Sequence, residues 1–581
     1  MLYPVVNKSR SVLSLDGIWD FKFSEDENWK QIYVPSSFNS QFTDSRARSY
    51  SGLVIYRRLF IIPNLFANCR RLLRFGAVTH DAVVNIDGKE VVSHRGGFLP
   101  FEVDITELCS CGEEHQIQVL VDNRINYSSF PVGNESATAF FGSDNPGIPS
   151  VENGKKKIAG NNFPNFDFFN YAGITRSVCI YTTPMNHIED ISYSTLIEGN
   201  DGIVKYSIDT NCNINPLVEI SDKNGKVVFS SIGKTGTAKI KDANFWFPKP
   251  GIPYLYNMTV SVGEDIYCLH FGIRTVKVDG TKFLINGNPF YFKGVGKHED
   301  SPIRGRGVDN CLNIKDIELL KWLGANSFRT SHYPYDEGIY DICDKEGIVI
   351  IDELPAVGLN FAGIRNPYQP SNCEYHLSLL RDLISRDKNH PCVVMWSLGN
   401  EPDTEHFPED ALDYWHYLYL KAHALDPESR PVTVVCCQND YTKDLTTRSM
   451  DVVCINRYYG WYNLSGYLDV AKEALAEELD FWEKTGKPLI LSEYGADAIS
   501  GMHMVIPEMF SEEFQVEYLE AMNCILDKYD FVIGEHPWNF ADFDTVQGPM
   551  RAGGNHKGLF TRDRNPKMAA HMIKKRWTTM K

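Results

Sequence analysis

The sequence of 581 residues predicts a multidomain protein with an N-terminal β-sandwich of jelly-roll type, an Ig-like β-sandwich and a C-terminal (β/α)8 TIM barrel. The length is the first observation, because a single hydrophobic core rarely serves a chain of this size. The second is a series of short strand patterns with almost no helical periodicity up to about residue 275. The third is a regular alternation of strand and helix patterns from there onward. We place the domain boundaries at residues 1–183, 184–275 and 276–581.

The first predicted domain contains alternating strands and one clear hairpin. Residues 18–23 alternate apolar and polar side chains, and residues 83–92 are interrupted by Asp87-Gly88, which is a typical two-residue hairpin turn. Residues 161–171 break this pattern with a loop rich in Phe and Asn. A long aromatic loop on a sandwich usually packs on another part of the protein, and we expect the same here.

The second predicted domain has the size and strand pattern of an Ig-like sandwich. Its strand patterns include residues 204–208 and 256–260, and Asp222 to Gly225 supply a turn. This stretch contains no evident chemistry, so we interpret it as a spacer.

Eight strand-helix units follow residue 275, as a TIM barrel requires. The predicted strands are residues 291–296, 327–331, 348–351, 392–396, 432–436, 452–455, 489–491 and 532–533. The predicted helices are residues 314–323, 338–346, 375–385, 410–424, 470–484, 513–527 and 566–576, and the helix of the fifth unit is poorly defined. In the first helix, Ile314, Ile317 and Leu320 should share one buried face, and Gly324 should end the helix.

Two of these strands end in a glutamate. Residues 393–402 run from four apolar side chains to Asn400-Glu401-Pro402, and residues 488–495 repeat the pattern up to Glu493. A strand that is apolar on both faces is typical of a parallel barrel, and catalytic groups lie at the C-terminal ends of such strands. Hydrolysis of a glycosidic bond needs one protonated and one ionised carboxyl group. Glu401 and Glu493 are therefore the candidate catalytic residues.

Other polar and aromatic residues gather at the same predicted rim. A single residue at a strand end more often stabilises a loop than takes part in catalysis. The presence of many such residues at one rim is what indicates a site. A sugar has polar edges and apolar faces, and its site needs amides, carboxylates and an aromatic wall. The candidates for hydroxyl contacts are Asp167 and His332, and those for the wall are Tyr458, Tyr462 and Trp538.

Charge and composition exclude several classes of function. A formal net charge of −17 argues against nucleic acid or an anionic membrane as the main partner. No segment resembles a signal peptide or a membrane span, and fourteen scattered cysteines are typical of reduced thiols, so we expect a cytoplasmic protein. His298, Glu299, Asp300 and His332 match no metal-ligand spacing, and no serine-nucleophile motif is present. We predict neither a metal nor a cofactor.

The motifs at the strand ends resemble bacterial β-glucuronidases of glycoside hydrolase family 2. Residues 396–402 are similar to the acid/base motif of that family and residues 492–495 to its nucleophile motif. Residues 456–462 and 551–558 resemble the β-glucuronidases in particular. The resemblance extends to residues 15–19, 167–174 and 298–300, and thus covers nearly the whole chain.

The resemblance implies roles for four residues at the strand ends. Glu401 would be the general acid/base and Glu493 the nucleophile of a retaining double displacement through a covalent glycosyl-enzyme, which releases D-glucuronate and the aglycone. Tyr458 would donate a hydrogen bond to the nucleophile, and Asn400 would reach the 2-hydroxyl of the sugar.

The resemblance also suggests the substrate. Arg551 opens the motif that contains Asn555 and Lys557, an amide and an ammonium that can bind a C6 carboxylate by charge-assisted hydrogen bonds. Tyr462 would be a third partner of that carboxylate. A β-D-galacturonidase or a dual-specificity uronidase remains an alternative, because both epimers carry the carboxylate. A catalytically silent sugar-binding protein is a further alternative, against which Glu401 and Glu493 argue.

One departure from the family concerns the segment after the third barrel strand. Many gut bacterial β-glucuronidases have a long insertion there, whereas residues 354–374 are short. We therefore expect an open aglycone side that accepts small-molecule or oligosaccharide β-glucuronides. The family also suggests a homo-oligomer, either a tetramer or a dimer.

Overall fold

The computed structural model describes residues 2–134, 163–437, 440–548 and 550–580. It begins with a sandwich of a six-stranded and a four-stranded antiparallel sheet. The six-stranded sheet contains, in spatial order, Lys30–Val34, Gly17–Phe23, Leu53–Ile61, Glu114–Asp122, Asp81–Ile86 and Lys89–Arg95. The four-stranded sheet contains Val12–Ser14, Val178–Thr183, Arg70–Phe75 and Phe101–Asp104. The inner faces of the two sheets share one hydrophobic core.

Short elements complete this sandwich. They are the two-stranded sheets Val78–Thr79 with Gly173–Ile174 and Gly133–Asn134 with Phe163–Pro164, the helices Phe38–Gln41 and Ser45–Ser49, and the 3₁₀ turn Asn64–Phe66. The predicted hairpin is confirmed. Asp87 and Gly88 both have positive φ angles, 51° and 81°, as a type I′ turn requires.

The second sandwich has a three-stranded and a four-stranded antiparallel sheet, as an Ig-like domain does. The first contains Ile188–Glu198, Asp201–Thr210 and Thr235–Ile240, and the second contains Val227–Ile232, Leu217–Ser221, Tyr256–Val262 and Asp265–Phe271. Asp222 forms the predicted turn, because its side chain accepts the backbone N–H of Asn224 and that of Lys226. A small sheet of Val276–Asp279, Lys282–Ile285 and Asn288–Pro289 leads into the barrel.

The last part of the chain is a closed barrel of eight parallel strands, so the predicted fold class is confirmed. The strands are Phe292–Gly296, Ser327–Arg329, Val349–Glu353, Val393–Asn400, Val432–Cys436, Val453–Asn456, Leu489–Tyr494 and Val532–Pro537. The helices that follow them are Asn310–Leu323, Glu337–Glu346, Pro370–Asp387, Pro408–Leu425, Thr446–Ser449, Leu468–Glu483, Glu512–Leu526 and Met568–Thr579. No helix among the described residues is both long enough and apolar enough to cross a bilayer.

The first barrel helix differs from its prediction. It starts at Asn310, where the Asp309 side chain caps the N-terminus by accepting the Leu312 N–H, and it ends at Gly324 in the left-handed conformation, as expected. Ile314, however, is 52% exposed, so its predicted place on the buried face is wrong. Asp316 is buried on the inner face instead, because it pairs with Lys297 and Arg564.

The aromatic loop of the first sandwich packs on the barrel, as expected. Phe166 and Phe168 belong to the barrel core, and the Phe168 ring centroid lies 5.1 Å from that of His298. The first two residues of the predicted loop, Asn161 and Asn162, lie outside the described part of the chain. This packing carries Asp167 to the C-terminal rim of the barrel.

Candidate active site

A cavity of about 270 Å³ opens at the C-terminal ends of the barrel strands. This volume is at the lower end of the range for small-molecule sites, about 300–1,000 Å³. The cavity is lined by Asp167, His332, Val357, Asn400, Glu401, Cys437, Asn456, Arg457, Tyr458, Tyr459, Tyr462, Asn463, Glu493 and Trp538. Eight of the eleven predicted site residues are in this lining; Arg551, Asn555 and Lys557 are not.

Glu401 is placed by the fourth barrel strand, which is buried along its whole length. The strand ends at Asn400, and Glu401 adopts a left-handed φ of 53°, which a residue with a side chain seldom does. Asn456 donates a hydrogen bond of 2.8 Å to Glu401 Oε1. Burial raises the pKa of Glu401, and the hydrogen bond from Asn456 offsets part of that rise.

Glu493 lies near the end of the seventh barrel strand. The Tyr458 hydroxyl donates a hydrogen bond of 2.7 Å to Oε2, and the Arg329 guanidinium donates to Oε1. Burial raises the pKa of Glu493 to about 8; the charge of Glu401 adds to the rise and Arg329 opposes it. Gly495 follows in the same motif, where a Cβ atom would lie 2.1 Å from the Trp538 carbonyl oxygen, so a larger residue does not fit.

The charge of Glu401 raises the pKa of Glu493, so the ionisations of the two carboxyl groups are linked. Near neutral pH the pair keeps one proton, since two buried negative charges at one site are costly. The donors decide where that proton lies. Arg329 and Tyr458 stabilise the ionised form of Glu493, whereas the donor to the Glu401 side chain, among the described residues, is the neutral amide of Asn456. The value of about 8 is therefore the second ionisation of the linked pair, and these donors favour the form in which Glu493 carries the charge and Glu401 the remaining proton.

Arg329 is a part of the site that the sequence did not reveal, and Glu353, at the end of the third barrel strand, was not among the predicted site residues. Arg329 is fully buried in the second strand, and its Nη1 lies 2.8 Å from each carboxylate oxygen of Glu353. Burial alone would raise the pKa of Glu353, but Arg329 and His332 hold it below its ordinary value. The one available signal was a charged residue inside a predicted buried strand. Arg329 thus links the third strand to Glu493.

An aromatic and amide wall stands beside the two acids. The rings of His332 and Trp538 are stacked, with centroids 5.2 Å apart and an angle of 21° between their planes. His332 Nδ1 lies 2.8 Å from Glu353 Oε1, which fixes the ring. Asn400 is buried beside Glu401, and its Oδ1 accepts a hydrogen bond of 3.1 Å from Asn456.

Arg551 and Lys557 stand behind the cavity wall and reach it through Tyr462. Both cations donate to the Tyr462 hydroxyl, Arg551 at 2.8 Å and Lys557 at 3.0 Å. The Lys557 side chain is fully buried and forms an ion pair with Asp497, a partner that the sequence did not suggest although it follows Glu493 by four residues. Burial alone would raise the pKa of Asp497, but Lys557 and Arg551 hold it below its ordinary value.

Asp167 connects the first sandwich to this cluster. Its carboxylate accepts hydrogen bonds of 2.9 and 3.1 Å from Arg551 Nε and one of 3.2 Å from Asn555 Nδ2. The Asn555 side chain also accepts the backbone N–H of Lys557. The cluster thus combines two cations, Arg551 and Lys557, with two carboxylates, Asp167 and Asp497.

Sequence profiles of one family cover nearly the whole chain. The profile described as "Glycosyl hydrolases family 2, TIM barrel domain" matches residues 276–581, its sugar binding domain matches residues 8–184, and the remaining family profile matches residues 186–274. The chain belongs to glycoside hydrolase family 2. The resemblance predicted from the motifs is therefore confirmed.

Relatives within family 2 match over their full length. A protein named beta-glucuronidase from Paenibacillus borealis is 43% identical over 609 residues, which cover 100% of this chain and 99% of the relative. The solved structure of Faecalibacterium prausnitzii beta-glucuronidase has a TM-score of 0.97 at 51% identity and covers 100% of this chain and 99% of its own. That of Bifidobacterium dentium beta-glucuronidase complexed with coumarin-3-O-glucuronide has a TM-score of 0.96 at 48% identity, with the same coverage.

In the part of the chain that the structure describes, one cluster outside this family 2 site has the residue types of a metal site. Asp344, His390 and Cys392 lie close together at the opposite, N-terminal end of the barrel strands. The Asp344 carboxylate already binds His390 Nδ1 at 2.6 Å and the Cys392 N–H at 2.9 Å. An ion pair and a backbone hydrogen bond thus explain this carboxylate without a metal.

Proposed function

We propose that this family 2 member is a retaining β-D-glucuronidase. The observation that carries the proposal is the place of Lys557. Its ammonium lies behind the cavity wall and donates a hydrogen bond to the hydroxyl of Tyr462, which lines the same pocket as Glu401 and Glu493. A uronic acid carries both groups that this arrangement fits, a glycosidic bond for the acids and a carboxylate for the cation. The names of the full-length relatives support the same substrate class.

The proposed first step forms a glycosyl-enzyme. Glu493, ionised beside Arg329 and Tyr458, attacks the anomeric carbon, and the bond from that carbon to the leaving oxygen breaks. Glu401 transfers its proton to the leaving oxygen, and the aglycone departs as a neutral alcohol. The product of this step is an ester between the sugar and the Glu493 carboxylate.

The proposed second step hydrolyses that ester. Glu401, now ionised, removes a proton from a water molecule, and the resulting hydroxide attacks the anomeric carbon. The bond to Glu493 breaks, D-glucuronate leaves with retained configuration, and Glu401 holds a proton again. Asn456, which donates to Glu401 Oε1, supports the ionised form of Glu401 between the two steps.

Recognition of the substrate carboxylate would draw on Tyr462, Asn555 and Lys557. An ammonium and a phenol hydroxyl offer a uronate charge-assisted hydrogen bonds that the neutral CH2OH group of a galactoside or glucoside cannot use. Asp497 would remain the second partner of Lys557 and would keep the buried ammonium paired when the cavity is empty.

A panel of 4-nitrophenyl β-glycosides that differ only at C4 and C6 tests the substrate. We expect the highest kcat/KM on the glucuronide; a higher value on the galacturonide would favour the alternative uronidase, and a higher value on a neutral glycoside would refute the assignment. Proton NMR of the first-formed product tests the mechanism, because retention predicts that the β-anomer of glucuronate appears first.

A further inference from the structure

An ion pair between the first sandwich and the barrel supports the loop that carries the proposed carboxylate-binding residues. Arg48 lies in the helix Ser45–Ser49 and forms two hydrogen bonds to Asp544, of 2.5 Å to Oδ2 and 2.6 Å to Oδ1. Such a bidentate contact fixes direction as well as distance. Asp544 lies in the loop after the eighth barrel strand, and its side chain is 9% exposed.

Further contacts make this ion pair a defined junction. The Arg48 guanidinium lies 4.2 Å from the Phe169 ring centroid, and the Tyr171 hydroxyl donates a hydrogen bond of 3.1 Å to Asp544 Oδ2. The Phe169 N–H also donates to the Asp544 carbonyl oxygen at 2.9 Å. Asp544 is therefore held by groups of the first sandwich through both its side chain and its backbone.

Asp544 directly follows Phe543, whose backbone pairs with that of Asn555. Phe543 and Asn555 form an antiparallel bridge with hydrogen bonds of 2.9 and 3.2 Å. The loop is tight there, because a Cβ atom on Gly554 would lie 2.6 Å from the Phe543 carbonyl oxygen. Backbone contacts thus connect Asp544 through Phe543 to Asn555, and the Asn555 side chain accepts the backbone N–H of Lys557, so a shift of Asp544 would displace both residues.

We infer that Arg48 is a positioning residue for substrate specificity, which holds the loop of Asn555 and Lys557 in the geometry that a uronate requires. This inference rests on the proposed function. It predicts a particular kinetic signature, because Arg48 acts on the carboxylate-binding loop and makes no contact with Glu401 or Glu493. Its loss should weaken uronide binding and leave the chemical step unchanged.

The test compares Arg48→Ala with Arg46→Ala, a matched control on the same short helix. Arg46 is similarly exposed and pairs with Asp26 within the first sandwich. For Arg48→Ala we expect kcat/KM on 4-nitrophenyl β-D-glucuronide to fall about tenfold, because small displacements of binding groups have large kinetic effects. The fall should reside in KM, kcat should stay near the wild-type value, and the inhibition constant of D-glucuronate should rise in parallel. Arg46→Ala should match the wild type.

Two results would overturn this inference without affecting the proposed function. In the first, Arg48→Ala has the same kinetics as Arg46→Ala. In the second, Arg48→Ala lowers kcat and leaves KM unchanged, as a purely structural role would produce. If Arg48→Ala does not fold, Arg48→Lys replaces it. Lysine keeps the charge but cannot form the planar two-nitrogen contact of a guanidinium, so it should show a smaller loss of the same kind, and wild-type kinetics would refute the inference. A wild-type protein that hydrolyses no uronide would overturn the proposed function and this inference together.

Discussion

Replacement of Lys557 by methionine tests the proposed substrate most directly. Methionine keeps most of the volume of the buried side chain but removes the ammonium that pairs with Asp497 and donates to Tyr462. In the proposed complex this substitution removes one charge-assisted hydrogen bond to the substrate, which contributes about 1.5–3 kcal/mol. It also leaves Asp497 buried without its partner, close to the incoming carboxylate.

The expected effect follows from these two losses. Removal of one partner of a buried ion pair costs about 3–5 kcal/mol. If the whole of this cost falls on binding of the uronate, kcat/KM on a glucuronide falls about 10²- to 4 × 10³-fold, at about 1.4 kcal/mol for each factor of ten. The double variant Lys557→Met with Asp497→Asn removes the unpaired charge but not the need for a cation. The double variant should recover thermal stability, but its kcat/KM on the glucuronide should be only about tenfold higher than that of Lys557→Met.

The assay compares 4-nitrophenyl β-D-glucuronide with the corresponding glucoside for the wild type and both variants, alongside Tm. A loss confined to the uronide, with the double variant stable but poorly active, would agree with the proposal. Wild-type kcat/KM on the glucuronide in the Lys557→Met variant would refute it. An equal loss on both substrates would show that Lys557 acts through the fold rather than through the carboxylate.

Three further predictions concern the acids and the aglycone. Glu493→Ala should abolish turnover, whereas Glu401→Ala should remain active on aryl glucuronides with good leaving groups, which need no proton; loss of both activities alike would contradict the assigned roles. Because the pKa of Glu493 is raised to about 8, the pair loses its shared proton above that pH, so kcat/KM on an alkyl glucuronide should fall on the alkaline side. Persistence of that fall in Glu401→Ala on an activated substrate would count against this account. The connection between the third strand and its helix is only residues 354–369, so an oligosaccharide ending in glucuronate should be hydrolysed about as efficiently as a small aryl glucuronide, and a strong aryl preference would argue against an open aglycone side.

The sequence was most informative where local pattern and burial coincide. The apolar run that ends at Asn400-Glu401 could be read as a buried parallel strand because a barrel strand is covered on both faces. Gly324 ended its helix as expected, since only glycine adopts the left-handed cap at little cost. The third helix begins at Pro370, five residues before the predicted start, because a proline is well tolerated at the first helical position.

Residues whose role depends on distant partners were missed. Arg329 meets Glu353 and Glu493, which follow it by 24 and 164 residues, and no local pattern connects them. The role of Asp497 was missed for the same reason, because its partner Lys557 lies 60 residues later, in the loop after the eighth barrel strand. The prediction from apolar periodicity that Ile314 is buried was wrong. The ion pairs of Asp316 with Lys297 and Arg564, rather than apolar character, determined which face of the helix is buried.

Asp167 brings the N-terminal sandwich into the pocket of the C-terminal barrel. Its carboxylate comes from the first sandwich and meets Arg551, which lies 384 residues later in the chain. A chimera that joins this barrel to a foreign N-terminal domain would keep both glutamates. It would nevertheless lose the Asp167 carboxylate that pairs with Arg551. Chimeras of this protein should therefore keep residues 163–171 together with the barrel, because that segment supplies a residue of the barrel's pocket.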